Sequence, residues 1–422
     1  MAVIDRDRAV RVKTKYFYGY NIVASGFVIQ AVCFGSLFTY GIFFREFQAE
    51  FGWSRTVISG AWSLAFFIMG PIGILAGRLN DRIGPRIIII LTGISLGLGY
   101  IFMSGMESPC QLYVYYGLLV CMGFGAHDVI TLSTVARWFV KRRGLMSGIV
   151  KVGTGVGQLA IPMIAIGLID AYGWRYAYMV MGFAAIVIFV IAALLLRRDP
   201  YEVGLMPDNH RNENGDQRKE SHDVGVSLGT ALKSRQFWAL CLAELAAFSC
   251  LLTIVVHIVP HATDLGLTPG SAGGILSTIG AASMFGRIMV GTANDRTGGK
   301  RSLILCFSVL LFSLVWLQFA KTAWMLYVFG MVCGFAHGGF FTVMSPTVAE
   351  IFGTRYHGML FGIVLSWGTL GGAVGPLLAG HFFDVMARYR EVFMVLGGSA
   401  ALGLAASTTL RPVQKNGQGV SE

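Results

Sequence analysis

Apolar runs of about 20 residues or more recur along the whole of this 422-residue chain, each long enough to cross about 30 Å of hydrocarbon as a helix. About twelve stand near 18–44, 55–79, 86–105, 111–138, 144–169, 174–196, 236–260, 269–293, 302–320, 323–351, 357–383 and 391–410. Backbone polar groups in lipid must be satisfied within the spanning structure, so open sheets with lipid-exposed edges are excluded. Composition agrees, with 55% hydrophobic and only 13% charged residues. The 55 glycines suit helices that approach closely without a hydrophobic drive between them. The expected fold is an all-α polytopic membrane protein of twelve transmembrane helices.

A net charge of +11 can signal nucleic acid, but its distribution argues for topology instead. With the N-terminus inside, Arg6, Arg8, Arg11, Lys13 and Lys15 fall on the cytoplasmic face. So do Arg78, Arg82, Arg86, Arg137, Lys141, Arg142, Arg143 and several residues between 197 and 235. Most of the 33 Lys and Arg residues therefore lie inside, the positive-inside pattern. Both termini are expected in the cytoplasm and the chain in the plasma (inner) membrane, with the lipid bilayer as partner and no nucleic acid. The first apolar run is too long for a signal peptide and lacks a clear cleavage site. Seven scattered cysteines form neither metal-ligand pairs nor a disulfide framework, and read as packing residues.

The hydrophilic stretch 197–235 divides the runs six and six. It carries Pro, Asn, Asp and Gly with no apolar period, and reads as a cytoplasmic linker, largely irregular at its centre. The expected division is a six-helix half over 1–196, the linker over 197–235, a second half over 236–410 and a tail over 411–422. An internal repeat supports it. GRLNDRIGPR begins at Gly77 and GTANDRTGGK begins at Gly291, 214 residues later. A second echo joins RRGLMSGIVKVGTGVG near 142–157 to YHGMLFGIVLSWGTLGGAVG near 356–375. Duplicated, pseudo-symmetric six-helix halves around a central site are a transporter architecture. In the repeated loop, Asp81 and Asp295 can meet the positive N-terminal ends of neighbouring helices, while Arg82 and Arg296 hold the inner ends together in a structural or gating role.

Arg287 stands alone in the apolar stretch ILSTIGAASMFGRIMVGTAND. A guanidinium stays charged in low dielectric, so its presence in a span points to a counter-ion for an anion that crosses the membrane. The alternative is an arginine paired to a neighbouring acid, or snorkelling to the interface. It lies about two turns, roughly 12 Å of rise, before Asp295, which makes snorkelling awkward. The repeat places Gly73 at the matching position of the first half, so the halves share the scaffold and not the charge.

These residues also carry a resemblance. GRLNDRIGPR and its weaker copy are similar to the loop motif of the major facilitator superfamily. EFGWSRTVISGAWS, WFVKRRGLMSGIVKVGTGVG and YEVGLMPD resemble its branch of monocarboxylate transporters and oxalate:formate antiporters, in bacterial form. The resemblance covers 16–410 and implies the major facilitator fold and carriage of small organic anions, with a proton or in exchange. It implies Arg287 as the ligand of the substrate carboxylate in span eight. Three positions depart from the branch. Ser283 replaces an aspartate one turn before the arginine, Phe38 replaces a lysine of span one, and Leu370 replaces a lysine three residues after Trp367. One fixed cation then suits a monoanion better than a dianion.

Further candidates remain open between two roles. Asp128 and Lys151 lie at similar depths in spans four and five. They form either a permanently closed pair or a switch in which Asp128 alternates between a proton and a cation. His127 precedes Asp128, and their side chains are expected on different faces. His257 is a candidate for substrate contact or for helix packing. His337, among small neighbours, has room for a ligand or a close helix. Glu244 couples protons or pairs with a base near the inner face. Trp367 is expected as an aromatic cavity wall beside Ser366, a role that rests on the resemblance.

The GTGVG at 153–157 has no preceding strand and no downstream acid, so it marks helix contacts and not a nucleotide site. No nucleophile–base constellation supports an enzyme. The reading is a carrier of small monocarboxylates such as lactate or pyruvate, working by alternating access as a monomer. Arg287, Ser283, His257 and Trp367 are expected at substrate, and Asp128, Lys151, His337 and Glu244 are candidates for the proton. No cofactor is expected beyond that proton. Exchange of the oxalate:formate type is the alternative, and a non-transporting sensor on the same scaffold is a third reading.

Overall fold

The computed structural model describes residues 16–209, 225–386 and 389–411. Among the described residues, twelve helices are long and apolar enough to cross a membrane, and no strand forms. They are α1 (Gly19–Phe51), α2 (Arg55–Ile83), α3 (Pro85–Met103), α4 (Pro109–Trp138), α5 (Arg143–Tyr172) and α6 (Trp174–Leu195). The second set is α7 (Arg235–Asp264), α8 (Pro269–Thr297), α9 (Gly299–Leu317), α10 (Ala323–Phe352), α11 (His357–Met386) and α12 (Tyr389–Thr408).

Local chemistry sets the ends. The Ser54, Ser234 and Thr268 hydroxyls accept from the backbone N–H groups of Val57 (3.3 Å), Phe237 (3.2 Å) and Ser271 (3.3 Å), capping α2, α7 and α8. Gly84 and Gly298, the turn glycines of the repeated motif, have φ of +84° and +83°. A side chain disfavours that region, so glycine lets the chain reverse at once into α3 and α9. Several helices outrun their apolar runs. The first continues through Arg45, Glu46 and Gln48 to Phe51, because hydropathy marks the hydrocarbon layer and not the helix end.

Within the first six helices, α1 packs on α5, α2 on α4 and α3 on α6. In the second six, α7 packs on α11, α8 on α10 and α9 on α12. Those are the same pairings shifted by six helices, the packing counterpart of the sequence repeat. Glycines make them close: a Cβ on Gly157 would strike the Ala31 carbonyl, and one on Gly338 the Ser283 carbonyl. The GTGVG stretch therefore lies in a helix contact.

Two seams join the halves, α5 with α8 and α2 with α11. Both are tight at the end that carries Arg78, Arg82, Arg137 and Arg143, here called the basic end. Gly144 meets Gly291 there, and Gly77 meets Gly358, with no room for a side chain. Toward the opposite, far end the seams part. Gly280 has no heavy atom within 4 Å of a Cβ position, and Phe67 and Leu377 are 80% and 74% exposed.

The connection between α6 and α7 is more ordered at its flanks than its composition suggests. Asp208 accepts from the backbone N–H groups of Val140 (2.9 Å) and Lys141 (2.6 Å), Val226 donates to the Phe352 carbonyl (3.0 Å), and Leu228–Lys233 is a short helix. Its expected irregular centre at 210–224 lies outside the described residues, as do the basic residues 6–15 and the tail from 412.

Candidate functional site

Charged residues of four helices form one polar layer. Asp128 and Arg287 each stand ten residues from the basic ends of α4 and α8, Lys151 eight into α5, and Glu244 nine into α7. At about 1.5 Å per residue these depths agree to within a helical turn. Lys151 Nζ donates to Asp128 Oδ1, and Gln30 Nε2 donates to the same oxygen at 2.7 Å and to Thr131 Oγ1 at 2.9 Å. The Lys151 ammonium also lies over the Phe34 and Phe341 rings, at 5.5 and 5.1 Å.

Arg287 is only 5% exposed. Its Nη1 crosses the α5–α8 seam and donates to the Lys151 carbonyl at 2.5 Å and to Thr154 Oγ1. The guanidinium stands 5.7 Å from the centre of the Phe341 ring. No carboxylate of the described residues lies within ion-pair distance of it. Its Nε has no partner, and Nη2 makes no hydrogen bond among the described residues. Neither acid-paired packing nor snorkelling describes this arginine.

On the far side of the layer a cavity of 540 Å³ lies between the halves, open toward the far end. Phe34, Phe38, Trp62, Phe66 and Phe248 line it, with His127, Asp128 and the Cys33 thiol as its ionisable groups. Phe341 also lines it and contacts Arg287, which is not itself among the lining residues.

Several expectations change at this scale. His127 and Asp128 share the cavity, with Nε2 and Oδ1 4.0 Å apart. An offset of about 100° separates Cβ vectors and not the tips of two side chains leaning toward one void. Glu244 is 2% exposed and pairs with no base among the described residues; its Oε2 has no partner there. Trp367 does not form the cavity wall. It turns to α7 and packs edge-on with Trp238, while Ser366 and Thr369 of the same helix face the void. Leu370 is half exposed in a groove between α7, α11 and α12, so the lysine missing there says nothing about the cavity's charge. The second cation of the site is Lys151, on the other half, with Asp128 as its counter-charge.

The remaining candidates fall in two places. Ser283 Oγ lies 3.0 Å from His337 Nδ1, one turn from Arg287 on the same face. His257 sits apart, toward the far end, with Nε2 3.2 Å from the Pro376 carbonyl and Nδ1 3.5 Å from the Tyr389 hydroxyl. At the basic end Asp81 accepts from the Gly358 and Met359 N–H groups, at 3.0 and 2.9 Å, across the α2–α11 seam. Asp295 accepts from Gly144 and Leu145, at 2.5 and 2.9 Å, across the α5–α8 seam. Each carboxylate thus meets a helix N-terminus of the other half. The arginines differ from expectation. Arg82 is exposed and offers its carbonyl to Arg198 (3.3 Å), and Arg296 is exposed with no partner among the described residues. Arg137 of α4 holds Asp81 instead, at 2.7 Å, because it points inward where residues just after each aspartate point out.

Gln30, Thr154 and Phe341 join the site without standing among the sequence candidates. A lone amide in GFVIQAVCF was a usable signal for Gln30. Thr154 was hidden among contact glycines, and an aromatic in an apolar run gives no signal.

Rat (Rattus norvegicus) monocarboxylate transporter 13 is 27% identical over 411 residues, covering 93% of this chain and 89% of that protein. Human (Homo sapiens) monocarboxylate transporter 7 is 24% identical over 451 residues, covering 94% and 86%. Among solved structures, the E. coli fucose:proton symporter FucP in its outward conformation superimposes with a TM-score of 0.71 at 15% identity, over 93% of this chain and 98% of that one. That likeness concerns the fold. The family model described as Major Facilitator Superfamily matches residues 26–308 and 254–421. With twelve helices paired in two like sets and that match over nearly the whole length, the chain belongs to the major facilitator superfamily.

Proposed function

We propose that this transporter carries a monocarboxylate with a proton by alternating access, the lactate–pyruvate class being the first to test. Arg287 carries the reading. It is a buried cation with no acid partner, whose Nε and Nη2 form the edge that a carboxylate accepts in bidentate fashion. Lys151 and Asp128 offset each other's charge, so once Glu244, the unpaired acid of the same layer, carries its proton, Arg287 leaves the network one positive charge for one carboxylate. The carboxylate enters from the far-end cavity and reaches Arg287 once the Phe341 ring swings aside.

The proton belongs on Asp128 in this reading. Protonation there releases the Lys151 ammonium toward the incoming anion, and proton and anion together add no net charge, so the loaded carrier reorients with the same net charge as the empty one. Glu244 and His337 are the alternative sites. Reorientation then breaks the helix caps at Asp81 and Asp295 and closes the far end. The basic end faces the cytoplasm of the plasma (inner) membrane, and one copy is the working unit.

One observation favours exchange as a second reading: Asp128 is held by both Lys151 and Gln30, and a pair that never opens carries no proton. Purified protein in liposomes should take up labelled lactate when an inward proton gradient is imposed, and Arg287→Gln should abolish uptake while staying folded. Uptake driven only by internal anion would select exchange. Normal transport by Arg287→Gln would remove the reading altogether.

A further inference from the structure

The cavity beside the polar layer is far larger than a three-carbon acid requires. At 540 Å³ it falls within the range of about 300–1,000 Å³ that encloses drug-sized ligands. A water molecule occupies about 30 Å³ of liquid, so lactate alone would leave most of this volume to water standing against aromatic rings.

The polarity of the cavity is sorted along its length. His127 and Asp128 sit at the floor, next to Phe341 and the cations behind it. Away from the floor the walls are Phe38, Trp62, Phe66 and Val256. Of the three hydroxyls that line the cavity, two direct their protons to their own helix, Ser366 to the Ile363 carbonyl (2.7 Å) and Thr369 to the Ser366 carbonyl (2.8 Å), and Ser63 of α2 is the third. Those walls are poor partners for a polyhydroxylated ligand and good ones for an apolar group.

We infer that the substrate is an amphipathic monocarboxylate whose acid head meets the Arg287 layer and whose branched or aromatic tail fills the apolar shaft toward the far end. This rests on the carboxylate reading above and names the class of acid that the site selects. Each methylene removed from water in the shaft strengthens binding, and short hydroxy or keto acids forgo that contribution.

Detergent-purified protein can be titrated with the straight-chain acids from propionate to hexanoate, with 3-phenylpropionate and with lactate, reading Kd from the ligand-induced rise in Tm. Affinity should increase by about 2- to 4-fold per methylene, and 3-phenylpropionate should bind at least about 10-fold tighter than lactate. Arg287→Gln should weaken every member of the series. Ala373→Phe, which fills the shaft from α11, should lower the ratio of phenylpropionate to lactate affinity, and Ser63→Leu does the same from α2 if the first variant fails to fold. A flat series, or lactate binding more tightly than the longer acids, overturns the tail while leaving the carboxylate reading intact. Tail-dependent binding that survives Arg287→Gln marks adventitious partition into the shaft and also overturns the inference. If no acid binds, lactate included, the carboxylate reading falls and the tail with it.

Discussion

Arg287 holds the opposite half through one nitrogen and keeps its other edge free, so replacing it by lysine separates charge from shape. Lysine preserves the positive charge and loses the fork. Arg287→Lys should stay folded and raise KM for labelled lactate by about 10- to 100-fold, the range expected when a charge-assisted pair of hydrogen bonds becomes a point contact. At Asp128, Asp128→Asn should abolish the response of uptake to a proton gradient while labelled-for-unlabelled exchange continues. Loss of folded protein instead would mark the pair with Lys151 as structural. Gln30 bridges Asp128 and Thr131, so Gln30→Leu should lower stability by about 1–3 kcal/mol, read as a drop in Tm. The charged members of this layer were legible in the sequence because an ion in an apolar run is too costly to be idle. Phe341 was not, since the same residue type lines lipid, core and cavity alike. Trp367 shows a different limit: a resemblance transfers the residue and not the face of the helix it occupies.

Among elements, the glycine contacts separate tolerant positions from intolerant ones. A Cβ on Gly338 would meet the Ser283 carbonyl and the Arg287 backbone nitrogen, so a side chain there forces α8 and α10 apart beneath the arginine. Gly338→Val should cost about 1–3 kcal/mol or more and lower the yield of monodisperse protein in gel filtration. Gly280→Ala, facing open space on the same helix α8, should stay within about 0.5 kcal/mol of the parent. The repeated Asn-Asp-Arg-x-Gly turns were readable in advance, because an aspartate near a helix end and a glycine one turn on have few other uses. The role of Arg137 was not readable, since the partner of Asp81 is fixed by the packing of α2 on α4 and not by spacing along the chain.

The whole molecule is closed at the basic end and open at the far end, and both seams are held at helix N-termini by aspartates from the other half. With Cys110, the exposed cysteine, changed to serine, Ser63→Cys should react with a membrane-impermeant maleimide added on the far-end side, which is outside the cell in the proposed orientation. Adding Asp81→Asn weakens one seam by about 1–2 kcal/mol, which lowers the open-to-closed equilibrium constant about 5- to 30-fold, and the labelling rate should fall by up to that factor as the open population declines. An unchanged rate would mean that the second seam alone sets the equilibrium. Lys151 joins these scales. Its ammonium holds Asp128 while its carbonyl holds Arg287, so a single residue touches both the acid and the cation proposed to bind the anion. Linkage then requires reciprocity: whatever factor protonation of Asp128 adds to carboxylate affinity, a bound carboxylate adds to proton affinity. The two ligands are thermodynamically one measurement, and a titration of proton uptake on adding substrate would give the same coupling factor as a titration of substrate affinity against pH.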